Sequence, residues 1–226
     1  MSAGMSADIA IIDYGMGNLL SVSKAFEHVA PKASVVVTSD PAVIAAASRV
    51  VFPGVGAMPD CIHELQTRHL IEPLKQAAAT KPFLGICLGM QALFAHSEEG
   101  HCAGLGLLPG NVRLFPADVM KDEAGHKLKV PHIGWNQVYQ AGVNQDNSPS
   151  ARHPLWAGIE EGERFYFVHS YYAEPASQDV VAGFTHYPFA FTCAVAQDNL
   201  FAVQFHPEKS AAAGLRLLAN FVTWDI

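Results

Sequence analysis

Apolar and polar positions along the first hundred residues follow two different periods. Short, mostly apolar runs of strand length occupy residues 9–12, 35–38, 49–52 and 83–86. Between these runs, apolar residues recur every three or four positions, which predicts helices over residues 19–29 and 41–47, within 58–79, and from Leu88 to about residue 95. Alternating helices and apolar strands predict an α/β fold whose open, mostly parallel sheet is flanked by helices.

The second half of the chain has shorter strand-like segments that are separated by turns. These segments are residues 112–115, 135–139, 165–168, 180–185, 191–196 and 200–205, and a helix is predicted at 210–224. Strands joined by turns form hairpins, so we expect a mixed edge to the sheet. We predict a single domain over residues 8–226, a flexible N-terminal extension over 1–7, and a polar surface loop at 144–150.

Composition narrows the classes of function. The formal net charge is -7, and the chain has only 14 lysines and arginines, without a basic run. We therefore expect no binding to nucleic acid and no membrane association. The four cysteines form no C-x-x-C pair, residues 1–7 do not resemble a signal peptide, and no apolar stretch reaches the ~20 residues that span a bilayer. These features predict a cytoplasmic protein that acts on a small polar substrate or binds a protein partner.

One cysteine lies in a pattern that favours reactivity. The segment Gly85-Ile86-Cys87-Leu88-Gly89 follows an apolar run and precedes a predicted helix. This is the pattern of a nucleophile elbow, in which the reactive side chain lies on a sharp strand-to-helix turn between small residues. The unpaired N–H groups of the first helical turn would favour a thiolate at Cys87. The alternative is that Cys87 is a buried core residue, as most free cysteines are.

A base for that cysteine is present downstream. His206 follows an apolar run, at the end of a strand where the active sites of parallel sheets lie, and Glu208 is placed to hold the far imidazole nitrogen. The oxyanion donors would be the N–H of Leu88 and an N–H of the loop Pro53-Gly54-Val55-Gly56. Alone, a histidine before a proline is more often a surface or capping residue, and the glycine loop is more often an ordinary β-to-α turn.

Two other segments begin like known binding motifs but lack the residue spacing that those motifs require. Gly15-Met16-Gly17 lacks the third glycine of a dinucleotide fingerprint, because Leu20 occupies that position. His63-Glu64 begins like a zinc-protease helix, but Thr67 stands where the second histidine is required. We therefore predict neither a metal nor a cofactor.

Several segments together resemble a known family, the triad class of glutamine amidotransferases, and among these the glutaminase subunits of imidazole glycerol phosphate synthase. The resemblance extends from Asp8 over essentially the whole chain. It is carried by Asp13-Tyr14-Gly15-Met16-Gly17-Asn18, Pro53-Gly54-Val55-Gly56, Gly85-Ile86-Cys87-Leu88-Gly89-Met90-Gln91, Pro131-His132-Ile133-Gly134-Trp135-Asn136, Phe167-Val168-His169-Ser170-Tyr171 and Gln204-Phe205-His206-Pro207-Glu208-Lys209-Ser210.

The resemblance implies a role for each site residue. Cys87 attacks the side-chain amide of L-glutamine, His206 protonates the departing ammonia, and water releases glutamate from a γ-glutamyl thioester while Glu208 orients His206. The oxyanion site is formed by Gly54, Val55 and Leu88, and the substrate is held by Gln91, His169, Ser170 and Tyr171.

The resemblance also implies a protein partner, a (β/α)8 cyclase that forms a heterodimer with this chain. The cyclase uses the channelled ammonia to make imidazole glycerol phosphate and an aminoimidazole carboxamide ribonucleotide in histidine biosynthesis. Positions expected near the interface are Asn18, Pro131, His132, Trp135, Asn136, Tyr166 and Lys209. Trp135 is either an exposed aromatic anchor or an ordinary core aromatic.

Three other hypotheses remain open at this stage. In the first, the chain is a glutaminase for another ammonia-channelling synthase, such as pyridoxal phosphate synthase. In the second, it is a hydrolytic cysteine enzyme that acts alone. In the third, it is a catalytically silent regulatory module. The loop at residues 53–56 favours the imidazole glycerol phosphate synthase type among the glutaminases. The presence of Cys87, His206 and Glu208 argues against a silent module.

Overall fold

A computed structural model describes residues 7–121, 125–141 and 152–226. These residues contain thirteen strands in one hydrogen-bonded network and six α-helices. The strands are β1 (Ile9–Ile12), β2 (Val35–Thr38), β3 (Arg49–Gly54), β4 (Phe83–Cys87), β5 (Phe94–Ser97), β6 (Cys102–Ala103), β7 (Leu108–Leu114), β8 (His132–Gln140), β9 (Glu163–His169), β10 (Tyr171–Pro175), β11 (Val181–His186), β12 (Ala190–Gln197) and β13 (Leu200–Val203). The helices are α1 (Leu19–Val29), α2 (Pro41–Ala46), α3 (Met58–Thr67), α4 (Ile71–Thr80), α5 (Leu88–Gln91) and α6 (Ala211–Thr223).

The parallel part of the sheet has the strand order β2-β1-β3-β4-β13. Successive residues of a strand point to opposite faces, so Ala10 and Ile12 pack into one core while Ile9 and Ile11 pack into the other. Helices α2, α3 and α4 contribute buried residues to the first core, and α1 and α6 to the second. Burial on both faces explains why these strands are apolar throughout, and it confirms the predicted α/β class.

Beyond β13 the sheet becomes mostly antiparallel. It continues through β12, β10 and β7 to β5 and β6, while β11 joins β12 to β8, and β8 pairs with β9. The hairpin segments predicted for the second half therefore form the mixed edge that the turn pattern indicated. Strand β10 was not predicted, because its short run Tyr171–Pro175 ends in proline.

The predicted helix from Leu88 to about residue 95 is wrong in its length. Helix α5 ends at Gln91, and the next residues form strand β5. The local spacing is helical, but Phe94 pairs with Leu108 in a parallel ladder with β7, and N–H of Gly104 donates to the carbonyl of Ala95. Sheet pairing with residues distant in sequence outweighs the local helical preference.

Most other predicted elements have bounds within two residues of those observed, but β7 and β8 begin earlier than predicted, at Leu108 and His132. Asn18 caps α1, as its position indicated, since its Oδ1 accepts from N–H of Ser21 at 3.4 Å. Ala7 is buried and its carbonyl accepts from N–H of Ser48, so ordered structure includes the last residue of the predicted extension. The rest of that extension and the predicted loop at 144–150 lie outside the described residues. No α-helix in the described ranges is long and apolar enough to cross a membrane.

Candidate active site

Cys87 lies at the turn between β4 and α5, as the elbow pattern predicted. Its backbone has φ 54° and ψ -110°, a conformation that non-glycine residues rarely adopt. The turn brings Gly89 so close to β3 that a methyl group there would lie 1.9 Å from the Phe52 carbonyl oxygen. The fold therefore holds Cys87 in a strained turn at the carboxyl edge of the parallel sheet, which is where a nucleophile is presented.

The loop predicted to supply an oxyanion donor begins directly beside Cys87. Gly54 ends β3 and is the residue that pairs with Cys87 in the parallel ladder. Val55, which follows it, is exposed and lines the same cavity as Cys87 and Leu88. Leu88 is the first residue of α5, so its N–H has no acceptor within the helix. Gly54, Val55 and Leu88 thus lie beside Cys87.

His206 and Glu208 form a buried pair just after β13, the strand that pairs with β4 beside Cys87. Nδ1 of His206 lies 2.8 Å from Oε1 of Glu208, and their side chains are 3% and 1% exposed. The backbone of His206 is held at both ends, since its N–H donates to the Tyr166 carbonyl and its carbonyl accepts from the Ser210 hydroxyl. Because a carboxylate accepts, Nδ1 carries a proton and Nε2 is the nitrogen left for proton transfer.

The electrostatics of this pair favour a charged imidazole. Burial alone lowers the pKa of His206, but the interactions with Cys87 and Glu208 outweigh it and raise the pKa to about 10. Nε2 is buried and has no hydrogen bond of ordinary geometry within the described ranges, so the contact with Cys87 that raises the pKa is a looser one. His206 at neutral pH is therefore an imidazolium beside a cysteine, and it can give its proton to a leaving group.

Cys87 and His206 open into a cavity of about 370 Å³. Its other lining residues are Val55, Gly56, Leu88, Gln91, Glu99, Pro131 and residues 168–171, which include all four predicted substrate residues. Glu99 was not predicted. Its Oε2 accepts from N–H of Met58 at 2.8 Å, so a residue after β5 caps the start of α3 and also faces the cavity. No local motif surrounds Glu99, and only the pairing of β5 with β7 brings it to the site.

The amide orientation of Gln91 is fixed by its neighbours. Its Nε2 lies 2.9 Å from the Tyr171 carbonyl and 2.8 Å from Oε1 of Gln204, and a carbonyl oxygen can only accept. Both N–H groups of Gln91 are thereby used. The remaining group, Oε1 of Gln91, can only accept, and because Gln91 lines the cavity it suits a cationic group of a ligand.

Comparison with known proteins identifies the family of the chain. Residues 10–224 match the model of the family described as glutamine amidotransferase class-I. The chain belongs to this family. As a class-I glutamine amidotransferase, it presents Cys87 and His206 at the carboxyl edge of its parallel strands.

Relatives with high identity cover nearly the whole amidotransferase chain. The imidazole glycerol phosphate synthase subunit HisH of Thiobacillus denitrificans is 65% identical over 98% of this chain and 93% of the relative. The subunit HisH of Nitrosospira multiformis is 63% identical over 96% of this chain and 98% of the relative. The chain therefore belongs, within the amidotransferases, to the group of these synthase subunits.

Solved structures support the amidotransferase fold. A crystal structure described as a glutamine amidotransferase has a TM-score of 0.68 at 12% identity and covers 95% of this chain and 98% of its own. A glutamine amidotransferase from Thermotoga maritima has a TM-score of 0.55 at 16% identity and covers 90% of this chain and 76% of its own. At these identities the likeness concerns the fold alone.

The residues predicted for the partner interface differ in exposure. Trp135 is 51% exposed, which excludes a core role, and its ring lies edge-on to Tyr166. Asn18, Pro131 and Lys209 are exposed, and Asn136 and Tyr166 are half-buried. His132 differs from the prediction because its side chain is 3% exposed and points inward, with its ring stacked on Tyr187.

Proposed function

We propose that this chain is the glutaminase subunit of imidazole glycerol phosphate synthase and hydrolyses L-glutamine to glutamate and ammonia. One observation carries the proposal. Cys87 and His206 line the same cavity, and Oε1 of Glu208 lies 2.8 Å from Nδ1 of His206, which leaves Nε2 for proton transfer. This is the set of groups that a cysteine acyl transfer requires, and the relatives named above are synthase subunits of this type.

The first half-reaction forms a thioester. Sγ of Cys87 adds to the side-chain carbonyl carbon of glutamine, and the oxygen becomes an oxyanion near N–H of Leu88 and the Val55 peptide. As the C–N bond breaks, the proton on Nε2 of His206 moves to the departing nitrogen, which leaves as ammonia. The products are a γ-glutamyl thioester on Cys87 and a neutral His206.

The second half-reaction releases glutamate. Nε2 of His206 accepts a proton from water while the water oxygen adds to the thioester carbon. The C–S bond then breaks, which restores the Cys87 thiolate and the imidazolium. Glu208 remains charged throughout and stabilises the imidazolium in each half.

The amino-acid end of glutamine is held by groups across the cavity. Oε1 of Gln91 is an acceptor, and the Glu99 carboxylate faces the same space. Two acceptors suit the α-ammonium group, because an ammonium has only donors. We propose that Glu99 joins Gln91 in this role, and that Ser170 and Tyr171 contribute the backbone wall of the cavity together with His169.

We propose that a (β/α)8 cyclase docks on the exposed face of β8 and uses the ammonia for histidine biosynthesis. Ile133 and Trp135 are 58% and 51% exposed, and Val130 beside them is 39% exposed. Exposed apolar residues of this size are typical of a protein interface. Pro131 adjoins both this face and the active-site cavity, which supports a docking surface near the ammonia source. The free thiols of all four cysteines support a cytoplasmic location.

The test is glutamine hydrolysis by the full chain with and without the cyclase and its nucleotide ligand. We expect low turnover for the chain alone, a rise on addition of the cyclase, and complete loss in Cys87→Ser with complex formation retained. A Cys193→Ser variant is the matched control, because Cys193 is fully buried away from the cavity. Continued hydrolysis by Cys87→Ser, or robust cyclase-independent hydrolysis of other amides, would overturn the proposal.

A further inference from the structure

A continuous series of hydrogen bonds joins the half-buried Asn136 on β8 to the sulfur of Cys87. Its first part contains two buried histidines. Nδ2 of Asn136 lies 3.3 Å from Nε2 of His132, Nδ1 of His132 lies 3.0 Å from Nε2 of His169, and Nδ1 of His169 lies 2.8 Å from the Tyr171 carbonyl oxygen. The register explains this contact, since His132 and His169 are directly opposed on β8 and β9.

The second part runs from the same carbonyl to the nucleophile. Gln91 donates to the Tyr171 carbonyl and to Oε1 of Gln204, as described above. Nε2 of Gln204 then lies 3.7 Å from Sγ of Cys87. Gln204 is fully buried and Gln91 is 4% exposed, so neither amide exchanges these contacts for bulk water.

The Tyr171 carbonyl fixes the direction of every bond in the series, because it can only accept. His169 must therefore carry its proton on Nδ1. Burial lowers the pKa of His169 to about 3 and that of His132 to about 4, so both rings are neutral at pH 7. Neutral His169 then accepts at Nε2, and His132 donates from Nδ1.

The same carbonyl fixes the two glutamine amides. Gln91 must turn its Nε2 towards Tyr171, and the second N–H of that nitrogen then meets Oε1 of Gln204. The other end of the Gln204 amide, Nε2, is thereby left against Cys87. A reversed Gln204 would place oxygen against the sulfur, which disfavours a thiolate, so the orientation of this amide has a chemical consequence.

We propose that Gln204 is a further catalytic residue, which donates an N–H to the Cys87 thiolate. We also propose that His132 and His169 are positioning residues, which hold the Tyr171 carbonyl where it orients Gln91 and, through Gln91, Gln204. The inference deepens the proposed function and rests on the role of Cys87 as nucleophile. It assigns a purpose to two buried histidines that the acyl-transfer chemistry itself does not use.

The first experiment measures the rate of Cys87 alkylation by iodoacetamide, quantified on the Cys87 peptide by mass spectrometry. This readout reports thiolate reactivity and needs no glutamine. In Gln204→Met, which removes the donor, we expect the rate at pH 7 to fall by about tenfold, as loss of a hydrogen bond to a charged group predicts. Gln140→Met is the matched control, because Gln140 is 3% exposed and donates to the Ile159 carbonyl instead.

The second experiment separates positioning from packing at His169. His169→Asn keeps an N–H that can reach the Tyr171 carbonyl, whereas His169→Leu removes it. We expect His169→Leu to slow Cys87 alkylation severalfold and His169→Asn to recover most of that rate, with melting temperatures measured for both. Equal rates in the two variants would overturn the positioning role even if both are destabilised.

The outcomes distinguish this inference from the proposed function. If Cys87→Ser still hydrolyses glutamine, the nucleophile itself is misassigned. If Cys87 is required for hydrolysis but Gln204→Met is alkylated at the wild-type rate, only the role of Gln204 fails. Slow alkylation of Cys87 in Gln204→Met, together with alkylation at the wild-type rate in Gln140→Met, supports the inference.

Discussion

Gly54 is paired with Cys87 in the parallel ladder between β3 and β4, so the oxyanion loop starts from the strand beside the nucleophile. The fold requires glycine at this position, because a methyl group would lie 2.5 Å from Oη of Tyr14 and 2.9 Å from Cβ of Leu88. The two backbone segments expected to stabilise an oxyanion, at Val55 and Leu88, thus leave adjacent strands at the same level of the sheet.

The Glu208 carboxylate is expected to be essential to turnover but not to folding. Glu208→Gln removes the charge that helps to hold His206 as an imidazolium, and the corresponding change in other triads lowers turnover by on the order of 10⁴-fold. We expect a loss of at least about 10²-fold in glutamine turnover of the cyclase complex, measured at saturating glutamine. Glu160→Gln, at an exposed site, is the control. Turnover close to wild type would remove Glu208 from the triad.

Gly89→Ala is expected to destabilise the chain strongly. A Cβ at this position would lie 1.9 Å from the Phe52 carbonyl oxygen, so α5 and β3 must move apart. We expect the free energy of unfolding, measured by urea denaturation, to fall by about 3 kcal/mol. In Gly183→Ala the nearest atom is 3.2 Å away, and a clearly smaller loss is expected. If the free energy of unfolding falls no further in Gly89→Ala than in Gly183→Ala, the elbow tolerates a side chain.

Stability is expected to fall at acid pH partly because of His153. Its ring packs between Phe201 and Trp224, and burial lowers its pKa to about 4. Between pH 6.5 and about 4 the unfolded chain binds a proton that the folded chain does not, so stability decreases as pH falls.

The measurement compares urea denaturation across that range. His153→Asn preserves an acceptor for N–H of Leu155 but does not titrate, so its pH dependence should be shallower by about 1 kcal/mol per pH unit. His63→Asn, at an exposed site, is the control. Parallel curves for wild type and His153→Asn would contradict the expectation.

Trp135→Ala is expected to weaken cyclase binding. An exposed aromatic anchor contributes about 2 kcal/mol or more to an interface, so we expect Kd, measured by calorimetry, to rise by roughly 30-fold. Val37→Ala is the control, because Val37 is also exposed but lies on β2 at the far edge of the sheet. An unchanged Kd in Trp135→Ala would place the interface elsewhere.

The local pattern of apolar and polar residues was sufficient to predict the parallel half of the sheet. Strands such as Ile9–Ile12 are apolar throughout because both faces are buried, and Asn18 caps α1 with its own side chain. The pattern failed after Gln91, where helical spacing continues but the backbone pairs with β7. The pairing energy comes from β7, which lies outside the segment whose helical spacing was used for the prediction.

The sequence by itself was sufficient to predict a nucleophile, its base and a carboxylate, because Cys87 and the segment from His206 to Glu208 lie at strand ends whose pattern is local. Only the tertiary structure decided that Glu99 and Gln204 belong to the same site, and that His132 faces inward. Gln204 is 117 residues from Cys87 in the chain and His132 is 37 from His169. Their contacts depend on strand register, which is set by the packing of the whole sheet. For the same reason Cys87 is recognisable from five residues, whereas the groups that orient it are not.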